Sequence, residues 1–443
     1  MPICSSAIGN LVAPNSGEPP RVSVAMVGAR MHYAVPRLLH EAGLLERFFT
    51  DSYIGNKPWL ESILRTVPQG VAPRGLLRWL GRKDAKLPAN VVSSFDALGL
   101  WYVWARKRTK TRIGMEAVYR EVARRFSRAI LQTGLGDATI VWGFNNASLE
   151  LFQAARGQGR QCILEQTILP AKLEFKLMRE ELGRWPGWQR GLDVLGSDEL
   201  AIDRAEQEWA LAHRIVAGSD FVREGLESCG VPQTKIRVVP YGVDLNRFWP
   251  AAKLKGDRSA RLRVLFVGEV GLRKGVPDLL EALAKLGSAT VEARFVGEVV
   301  LDHDRLAPFA SVATFVGSVP RAQMPEIFRW ADVFVLPSIV EGSATATYEA
   351  LLSGLPVVAT QNAGSIVQSG VEGFIVPIRD PHTLAETLGR YASDRELLAQ
   401  HRAATLQCRD RAGLDRYKAD LVSVIREIAT SDRCRKRKLD DID

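Results

Sequence analysis

Two acidic and two basic residues in the second half of the sequence have types and spacings that could handle a charged ligand. Glu341 and Glu349 lie eight positions apart in the segment VFVLPSIVEGSATATYEALLSGLPVVAT, and Arg273 and Lys274 lie between glycines in GEVGLRKG. Paired carboxylates cleave glycosidic bonds in many hydrolases, whereas paired cations bind phosphates. The elements that carry these residues decide between the two chemistries.

The segment Val333–Thr360 has the pattern of a strand, a loop, a helix and a second strand. Its first apolar run ends at a Pro-Ser turn, a helix rich in Ala and Leu starts near Thr345, and Gly354 and Pro356 end that helix. The first N–H groups of a helix have no partner within it, so an anion placed there gains hydrogen bonds and dipole stabilisation. Every helix has such an end, however, and few bind phosphate.

The spacing of the two glutamates argues against a hydrolytic pair. Eight helical positions separate two residues by about 12 Å along the axis, whereas the carboxyls of glycosidases stand roughly 5–9.5 Å apart. Glu349, one turn inside the helix, could instead accept hydrogen bonds from a ribose diol. Glu341 could accept one from a sugar hydroxyl.

The basic pair supplies the charge that an anion site needs. Both loops follow strands, and in a parallel sheet such loops open on the same edge, so Arg273 and Lys274 can face the helix start. Each cation at ~4 Å from a diphosphate is worth roughly 4 kcal/mol at an effective dielectric near 20, before desolvation. A solvated surface pair is the alternative interpretation.

Strand and helix patterns alternate on both sides of a linker, which predicts an α/β protein with two doubly wound domains. The sequence RVSVAMVG begins the first alternation, and six short apolar runs from RVLFVG to GFIVP form the second. The predicted divisions are a disordered lead (1–20), a first domain (21–245) with a basic insertion (57–128), a linker (246–262), a second domain (263–410), a C-terminal helix (411–430) and a disordered charged tail (431–443).

Composition sets the class of protein. The chain has 443 residues, of which 46% are hydrophobic and 25% charged, as in ordinary globular proteins. Its five cysteines are scattered, and no run is apolar over the ~18 residues that a membrane span needs. The start of the chain also has no signal-peptide pattern. These features predict a cytoplasmic protein in a reducing compartment.

The net charge of +9 is concentrated in one segment. Residues 57–128 contain sixteen Lys and Arg against five Asp and Glu, an excess of 11 that is larger than that of the whole chain. Within it, Arg74–Lys86 mixes Leu and Trp with Arg and Lys. Such a segment could lie on the anionic inner face of the plasma membrane, or its apolar residues could pack on the domain while its charges face water.

The second half of the chain resembles the donor domain of glycosyltransferase family 4, the retaining glycosyltransferases of the GT-B fold. The resemblance rests on P-S-x-x-E-G-x-x-x-x-x-x-E-A-L-x-x-G-x-P-V-V-A-T, supported by VVPYGVD, the FVG…KG loop and FVGSVPRAQMPEIFRWADVFVLPS. It is strong over 204–390 and weak before that. It implies two Rossmann-like domains facing across a cleft, with a final helix that crosses back to the first.

The resemblance also implies the roles of individual residues. Lys274 and Arg273 would hold the donor diphosphate and act in catalysis together with Glu341, which would hold the transferred sugar. Glu349 would bind the ribose. The rest of the predicted donor site is Gly268, Gly317, Val319, Gly342, Ser343, Ala344, Thr345 and Ala346. The predicted acceptor side is Gly28, His32, Glu165 and Gln166. The resemblance implies no metal and no other cofactor. The nucleotide diphosphate sugar would be a co-substrate.

Several positions depart from the family pattern. Glu269 stands where an Arg is common, the donor loop reads GSATA, and Glu165 and Gln166 replace a histidine. His32 could face the acceptor or simply be packed or exposed. The Asp302-His-Asp304 sequence matches a metal-binding D-x-D, although a surface loop is the more ordinary interpretation.

The function predicted from sequence is therefore the retaining transfer of a hexose from a nucleotide sugar to a glycan or lipid-linked acceptor. Synthesis of envelope polysaccharide or exopolysaccharide is the expected setting, with peripheral contact with anionic membranes. A non-catalytic sugar-nucleotide-binding protein of the same fold is the alternative. No nucleic-acid partner is expected, because the cleft motifs do not fit that class.

Overall fold

The computed structural model describes residues 19–64, 66, 74–109, 111–189, 199–250 and 261–440. The described residues form two separate parallel sheets. The first contains β1 (Val22–Met26), β2 (Leu45–Thr50), β3 (Val92–Ser94), β4 (Ile140–Phe144), β5 (Gln161–Gln166), β6 (Arg214–Ala217) and β7 (Ile236–Val238). The second contains β8 (Leu262–Val267), β9 (Val291–Val296), β10 (Ala313–Gly317), β11 (Val333–Leu336), β12 (Val357–Thr360) and β13 (Gly373–Val376).

Helices cover both faces of each sheet. Those of the first half are α1 (Ala34–Glu41), α2 (Pro58–Leu64), α3 (Arg74–Leu80), α4 (Asp96–Arg108), α5 (Arg112–Thr133), α6 (Leu149–Gly157), α7 (Ala171–Arg184), α8 (Glu199–Leu211) and α9 (Asp220–Ser228). Those of the second half are α10 (Val276–Leu286), α11 (His303–Leu306), α12 (Met324–Trp330), α13 (Thr345–Leu352), α14 (Pro381–Ser393), α15 (Arg395–Thr405), α16 (Arg409–Ala412) and α17 (Leu414–Asp440).

The strand order places a crevice in the middle of each sheet. The orders are β3-β2-β1-β4-β5-β6-β7 and β10-β9-β8-β11-β12-β13. The connections therefore leave in opposite directions between β1 and β4, and again between β8 and β11. Ligands of open α/β sheets bind at such points, beyond the carboxyl ends of the strands. The loops after β8 and β11, which carry Lys274 and Glu341, flank the second of them.

The continuous apolar runs of the second sheet have a simple cause. Every residue of β11 and β12 is buried, because helices cover both faces of the sheet and leave no solvent side for a polar alternation. The prediction of two doubly wound α/β domains is confirmed.

The basic segment 57–128 is a correction to the prediction of an insertion. It includes β3, which pairs in parallel with β2 over Phe48–Thr50, and α4, neither of which the sequence pattern revealed. The segment therefore completes one edge of the first sheet. Its short strand was missed because VVSS carries too few residues to show a period of two.

The predicted disorder of 431–443 is wrong for most of that range, since α17 continues to Asp440. Arg, Lys and Leu are good helix formers, so a dense run of positive charge did not prevent a helix. The predicted lead lies almost wholly outside the described residues, as does most of the predicted linker, because 1–18 and 251–260 are not described.

The last helix joins the two halves of the molecule. From α17, Lys418 Nζ lies 3.6 Å from Glu41 of α1, and Glu427 accepts a 2.9 Å ion-paired hydrogen bond from Arg237 of β7. The helix thus holds the first domain from the far end of the chain. Among the described helices, none has the length and apolar character needed to cross a bilayer.

Candidate functional site

The loop after β8 is locked onto the turn after β11, and this contact fixes Lys274. Gly275, with a left-handed φ of 65°, follows it directly, and a Cβ at Gly275 would lie 2.0 Å from the carbonyl oxygen of Pro337. Only glycine fits such a position. The Arg273 carbonyl also accepts a 2.9 Å hydrogen bond from the N–H of Ile339. These contacts with the turn after β11 therefore determine where both cations stand.

Glu341 joins the two cations in one buried cluster. Its carboxylate pairs with Lys274 Nζ, and Arg273 Nη1 lies 3.2 Å from the same oxygen. Burial works to raise the pKa of Glu341, but the charges of Lys274 and Arg273 outweigh it and hold that pKa below its ordinary value. Burial also lowers the pKa of Lys274, and Glu341 only partly opposes this. Two cations and one carboxylate contact each other in this cluster, and the charge of the exposed Glu269 also acts on Lys274.

The start of α13 faces the same loop without a side-chain cap. Ala344 precedes the helix and makes no capping bond from its side chain, so Thr345 and Ala346 begin a helix open to an external acceptor. Two hydrogen bonds to buried groups fix the loop that precedes α13. Ser343 Oγ lies 2.8 Å from the Tyr348 hydroxyl, and the Ala344 N–H donates to the Ala363 carbonyl at 3.0 Å.

Glu349 lies at the other end of the first turn of α13 and faces different charges. Burial raises the pKa of this half-buried carboxyl to about 7, and the charges of Arg321 and Arg247 oppose the shift. Arg321 follows Gly317 and Val319, the residues predicted to border the base. Sequence reasoning missed Arg321, because nothing in PRAQM shows that this arginine returns to a helix 28 positions later in the chain.

The two glutamates therefore do not act as one pair. Glu341 lies before the helix rather than inside it, since α13 starts at Thr345. The rise of a helix therefore does not give the distance between these two carboxylates. The prediction that they are not a hydrolytic pair is supported for a different reason, because the two carboxylates have separate cationic partners: Lys274 with Arg273, and Arg321 with Arg247.

The backbone of the first domain directly contacts the loop that contains Gly342. A Cβ at Gly342 would lie 1.8 Å from the Thr167 carbonyl oxygen, so the two backbones touch. Ser219 Oγ donates a 2.5 Å hydrogen bond to the Gly342 carbonyl. Below this contact, Gln189 Oε1 accepts a 2.9 Å bond from the Leu272 N–H. Glycine at 342 is required by this approach between domains.

Of the predicted acceptor residues, Glu165 lies deepest. It is fully buried, Trp142 Nε1 donates to its Oε2 at 3.0 Å, and burial raises its pKa to about 7. The hydrogen bonds from Trp142 and Tyr241 and the charge of Arg30 oppose that shift. Arg30 also donates a 2.7 Å hydrogen bond to the Thr167 hydroxyl. This bond joins the loop after β1 to the loop after β5, which touches Gly342.

The other three predicted acceptor residues lie apart from Glu165. Gln166 is turned into the core, where its amide donates to the Ile168 carbonyl and accepts from Trp209; consecutive strand residues point to opposite faces. Gly28, with a φ of 82°, donates its N–H to Asp51 at 2.7 Å. His32 is exposed, within three successive residues of left-handed backbone.

A separate cavity of about 430 Å³ lies between the loop after β6 and the loop after β12, and none of the predicted site residues line it. Its two arginines are each paired with a carboxylate, Arg411 with Glu372 and Arg416 with Asp420. The Lys274 loop differs from this cavity, because two cations there share one contacting carboxylate beside an uncapped helix start.

The D-x-D sequence has a structural role. Asp302 caps α11 by accepting a 3.0 Å hydrogen bond from the Asp304 N–H. Glu269, the departure next to the phosphate loop, is exposed. In the part of the chain that the structure describes, three or more His, Cys, Asp or Glu side chains do not gather as metal ligands would.

Comparison with known proteins gives a consistent result. Residues 261–394 match the family described as glycosyl transferases group 1. The chain is 32% identical to a D-inositol 3-phosphate glycosyltransferase of Geodermatophilus obscurus over 44% of this chain and 48% of the relative. It is 29% identical over 39% of this chain and 46% of the relative to WcaL of Escherichia coli, a protein named for colanic acid biosynthesis. The chain thus spans about half the length of these curated relatives.

Solved structures extend the likeness to the whole fold. A sucrose-phosphate synthase of Thermosynechococcus elongatus is 15% identical, with a TM-score of 0.65 over 93% of this chain and 100% of that one. The HepE protein of Anabaena, solved with UDP and glucose, is 14% identical, with a TM-score of 0.59 over 92% of this chain and 100% of that one. At such identities the likeness establishes the GT-B fold alone.

Proposed function

We propose that this chain is a retaining, metal-independent hexosyltransferase, a proposal that starts from the match of residues 261–394 to the glycosyl transferases group 1 family. Its donor is a nucleotide diphosphate sugar, and its acceptor is a hydroxyl of a glycan or a lipid-linked saccharide. The observation that carries the proposal is the cluster of Lys274, Arg273 and Glu341 at the uncapped start of α13. It is the one predicted constellation that combines two cations with an uncapped helix start.

The cluster suits the departure of a nucleoside diphosphate. As the bond between the sugar C1 and the phosphate oxygen breaks, its electron pair stays on the diphosphate, and Lys274, Arg273 and the helix start stabilise the new charge. The acceptor hydroxyl attacks C1 from the face that the leaving group vacates and gives its proton to the departing phosphate oxygen. Retention then needs no protein nucleophile, and the donor is held for attack by Glu341 and Glu349.

The names and ligands of similar proteins support a proposal for the donor nucleotide and for the pathway class. WcaL is named for the biosynthesis of colanic acid, and HepE was solved with UDP and glucose. A uridine donor and synthesis of envelope polysaccharide on the cytoplasmic side of the membrane are the corresponding proposals for this chain. No nucleic acid takes part.

A donor screen tests the proposal. The purified protein is heated with a panel of nucleotide diphosphate sugars, and the true donor raises the melting temperature because it binds the native state alone. That donor is then supplied with acceptor, and the released nucleoside diphosphate is measured with the metal chelated. Donor binding without turnover would favour the alternative, a non-catalytic sugar-nucleotide-binding protein of this fold. Absence of any donor binding would contradict both.

A further inference from the structure

Helix α4 has a second apolar stripe, which faces solvent and not the core of the domain. Leu100, Val103 and Trp104 follow the i, i+3, i+4 spacing that places residues on one face, and that spacing ordinarily marks the face turned to the core. Here their exposed fractions are 73%, 50% and 53%. Gly99 and Ala105 are the buried residues of this helix. The face that contacts the domain also contains Leu98, which packs on the core, and Tyr102, whose ring meets that of Tyr119 of α5. The large apolar side chains of the second stripe, by contrast, point to solvent.

Helix α2 adds a second exposed apolar pair beside α4. Trp59 and Ile63, one turn apart, are 66% and 59% exposed. Lys57 Nζ lies 2.6 Å from the Asp96 carboxylate, so the starts of the two helices are joined by an ion pair. We call Trp59, Ile63, Leu100, Val103 and Trp104 the α2–α4 apolar patch. Single exposed apolar residues are ordinary, but five large ones on two adjoining helices mark an interaction surface.

Positive charge borders this patch. Arg106, Lys107 and Arg108 end α4 and are exposed. Between Asp96 and Glu116 the sequence has five Lys or Arg and no Asp or Glu, and Asp96 is already paired with Lys57. The arginines also lie over aromatic rings: Arg108 is 5.0 Å from the ring centre of Trp104, and Arg106 is 5.5 Å from that of Tyr102. Amphipathic aromatic rings and basic side chains are the groups that settle at a bilayer interface.

Two of the basic residues in Arg74–Lys86, the segment that sequence alone suggested for membrane contact, make ion pairs within the domain. Arg82 is paired with the buried Asp51 at 2.8 Å, and Lys83 with Glu61 at 2.5 Å. Asp51 also holds the Gly28 N–H, and its carbonyl lies against Gly99 of α4. The loop of the predicted acceptor side is therefore directly linked to the helix that carries the patch, whereas Arg82 serves as an internal support.

From these contacts we propose that the α2–α4 apolar patch, with Arg106, Lys107 and Arg108, docks the protein on an anionic lipid bilayer. The apolar side chains enter the interface and the basic end of α4 meets the anionic headgroups. A second copy of the chain is the competing occupant, and the oligomeric state of the variants separates it from a bilayer. The proposal does not depend on sugar transfer. The expectation that docking aligns the Gly28 loop with a lipid-linked acceptor does rest on the proposed function.

The test is co-sedimentation of the full chain with vesicles of phosphatidylcholine alone or mixed with phosphatidylglycerol. We expect binding to the anionic vesicles that weakens with salt, and at least tenfold weaker partition for Leu100→Gln/Trp104→Gln. Arg106→Gln/Lys107→Gln should lose the preference for phosphatidylglycerol but keep weak binding. The matched control is Leu200→Gln, which removes a Leu that is 62% exposed on α8 and should bind as the wild type does. Circular dichroism confirms that the variants fold.

Three results would overturn the proposal. The first is no binding of the wild type to anionic vesicles at low salt. The second is equal loss of binding in Leu200→Gln and in Leu100→Gln/Trp104→Gln. The third is a dimer in sedimentation velocity that Leu100→Gln/Trp104→Gln dissociates, which would assign the patch to a contact between copies. Sugar transfer to a soluble acceptor should be unchanged in Leu100→Gln/Trp104→Gln, so failure of the docking proposal is distinguishable from failure of the proposed function.

Discussion

Trp142 Nε1 donates a 3.0 Å hydrogen bond to Glu165 Oε2 inside the first domain. Trp142 lies in β4 and Glu165 at the end of β5, so the bond joins neighbouring strands directly beneath the loop that meets Gly342. Burial raises the pKa of Glu165 to about 7. A carboxyl at the domain junction therefore changes charge near neutral pH.

Glu165→Gln should stabilise the protein more at pH 8 than at pH 5. Because the folded pKa is raised, the folded state binds the proton more tightly than the unfolded state. This contribution to stability is lost as pH rises from the ordinary carboxyl pKa to about 7. The Gln variant keeps an acceptor for Trp142 and has no charge to bury. The unfolding free energy of the variant minus that of the wild type should increase by about 2–3 kcal/mol from pH 5 to pH 8. Urea unfolding at the two pH values measures this difference.

Glu150→Gln is the control of opposite sign. Burial works to raise the pKa of Glu150, but the hydrogen bond and charge of Arg204 outweigh it and leave that pKa below its ordinary value. The stability from this pair is present at neutral pH and lost as pH falls through the folded pKa. Glu150→Gln should thus destabilise most at neutral pH. Parallel pH trends in the two variants would contradict the assignment.

Lys274→Ala should abolish most of the transfer reaction without unfolding the protein. The variant removes one cation from the leaving diphosphate, and loss of a single preorganised group of this kind costs roughly 10²–10³-fold in turnover. Lys285→Ala, which removes an exposed lysine of α10, is the control and should match wild type. The measurement is initial rate against donor concentration, with melting temperature recorded alongside. Wild-type turnover in Lys274→Ala would remove the cluster from the mechanism.

Gly342→Ala should separate the two domains while leaving each one folded. The new Cβ would lie 1.8 Å from the Thr167 carbonyl oxygen, and two backbones cannot absorb that overlap without moving apart. We expect more than tenfold loss of kcat/KM because acceptor and donor lose alignment, and a larger radius of gyration by small-angle scattering. Gly157→Ala, where a Cβ meets nothing within 4 Å, should change neither. An unchanged radius with full activity in Gly342→Ala would contradict the tight contact.

Arg379→Ala should weaken the connection between α7 and the second domain. Arg379 Nη1 lies 2.7 Å from Glu180, and its Nε binds the fully buried Glu181. Removing the arginine leaves the Glu181 charge buried with only Arg184 beside it. We expect a loss of about 2 kcal/mol or more, measured by urea unfolding. Adding Glu181→Gln should restore part of it.

Arg223→Ala is the matched control for Arg379→Ala. Arg223 pairs with Asp220, Glu224 and Glu227 on its own helix at the surface, so its removal should cost about 0.5 kcal/mol. If Arg223→Ala destabilised as much as Arg379→Ala, the buried interdomain pair would have no special role.

The donor side of the site was largely determined by the sequence, because its parts are local. The turn after β8 and the start of α13 each depend on residues within a few positions. Parallel strands then bring such loops to one edge of the sheet. The two doubly wound domains and the approach of Lys274 and Arg273 to Glu341 could therefore be predicted without coordinates, and the role of these residues in donor binding stays a prediction.

Only the tertiary structure decided which groups face each other across long stretches of chain. The charge of Arg321 acts on Glu349, the backbone of Gly342 touches that of Thr167, and Glu165 is buried. Each of these arrangements brings together segments that are far apart in the sequence, and no periodic pattern in the sequence predicts them. The outward stripe of α4 is the clearest case. A helical period shows that Leu100, Val103 and Trp104 share a face. Whether that face is covered depends on what packs against the helix, and here another face of α4, which contains Leu98 and Ala105, packs on the domain instead.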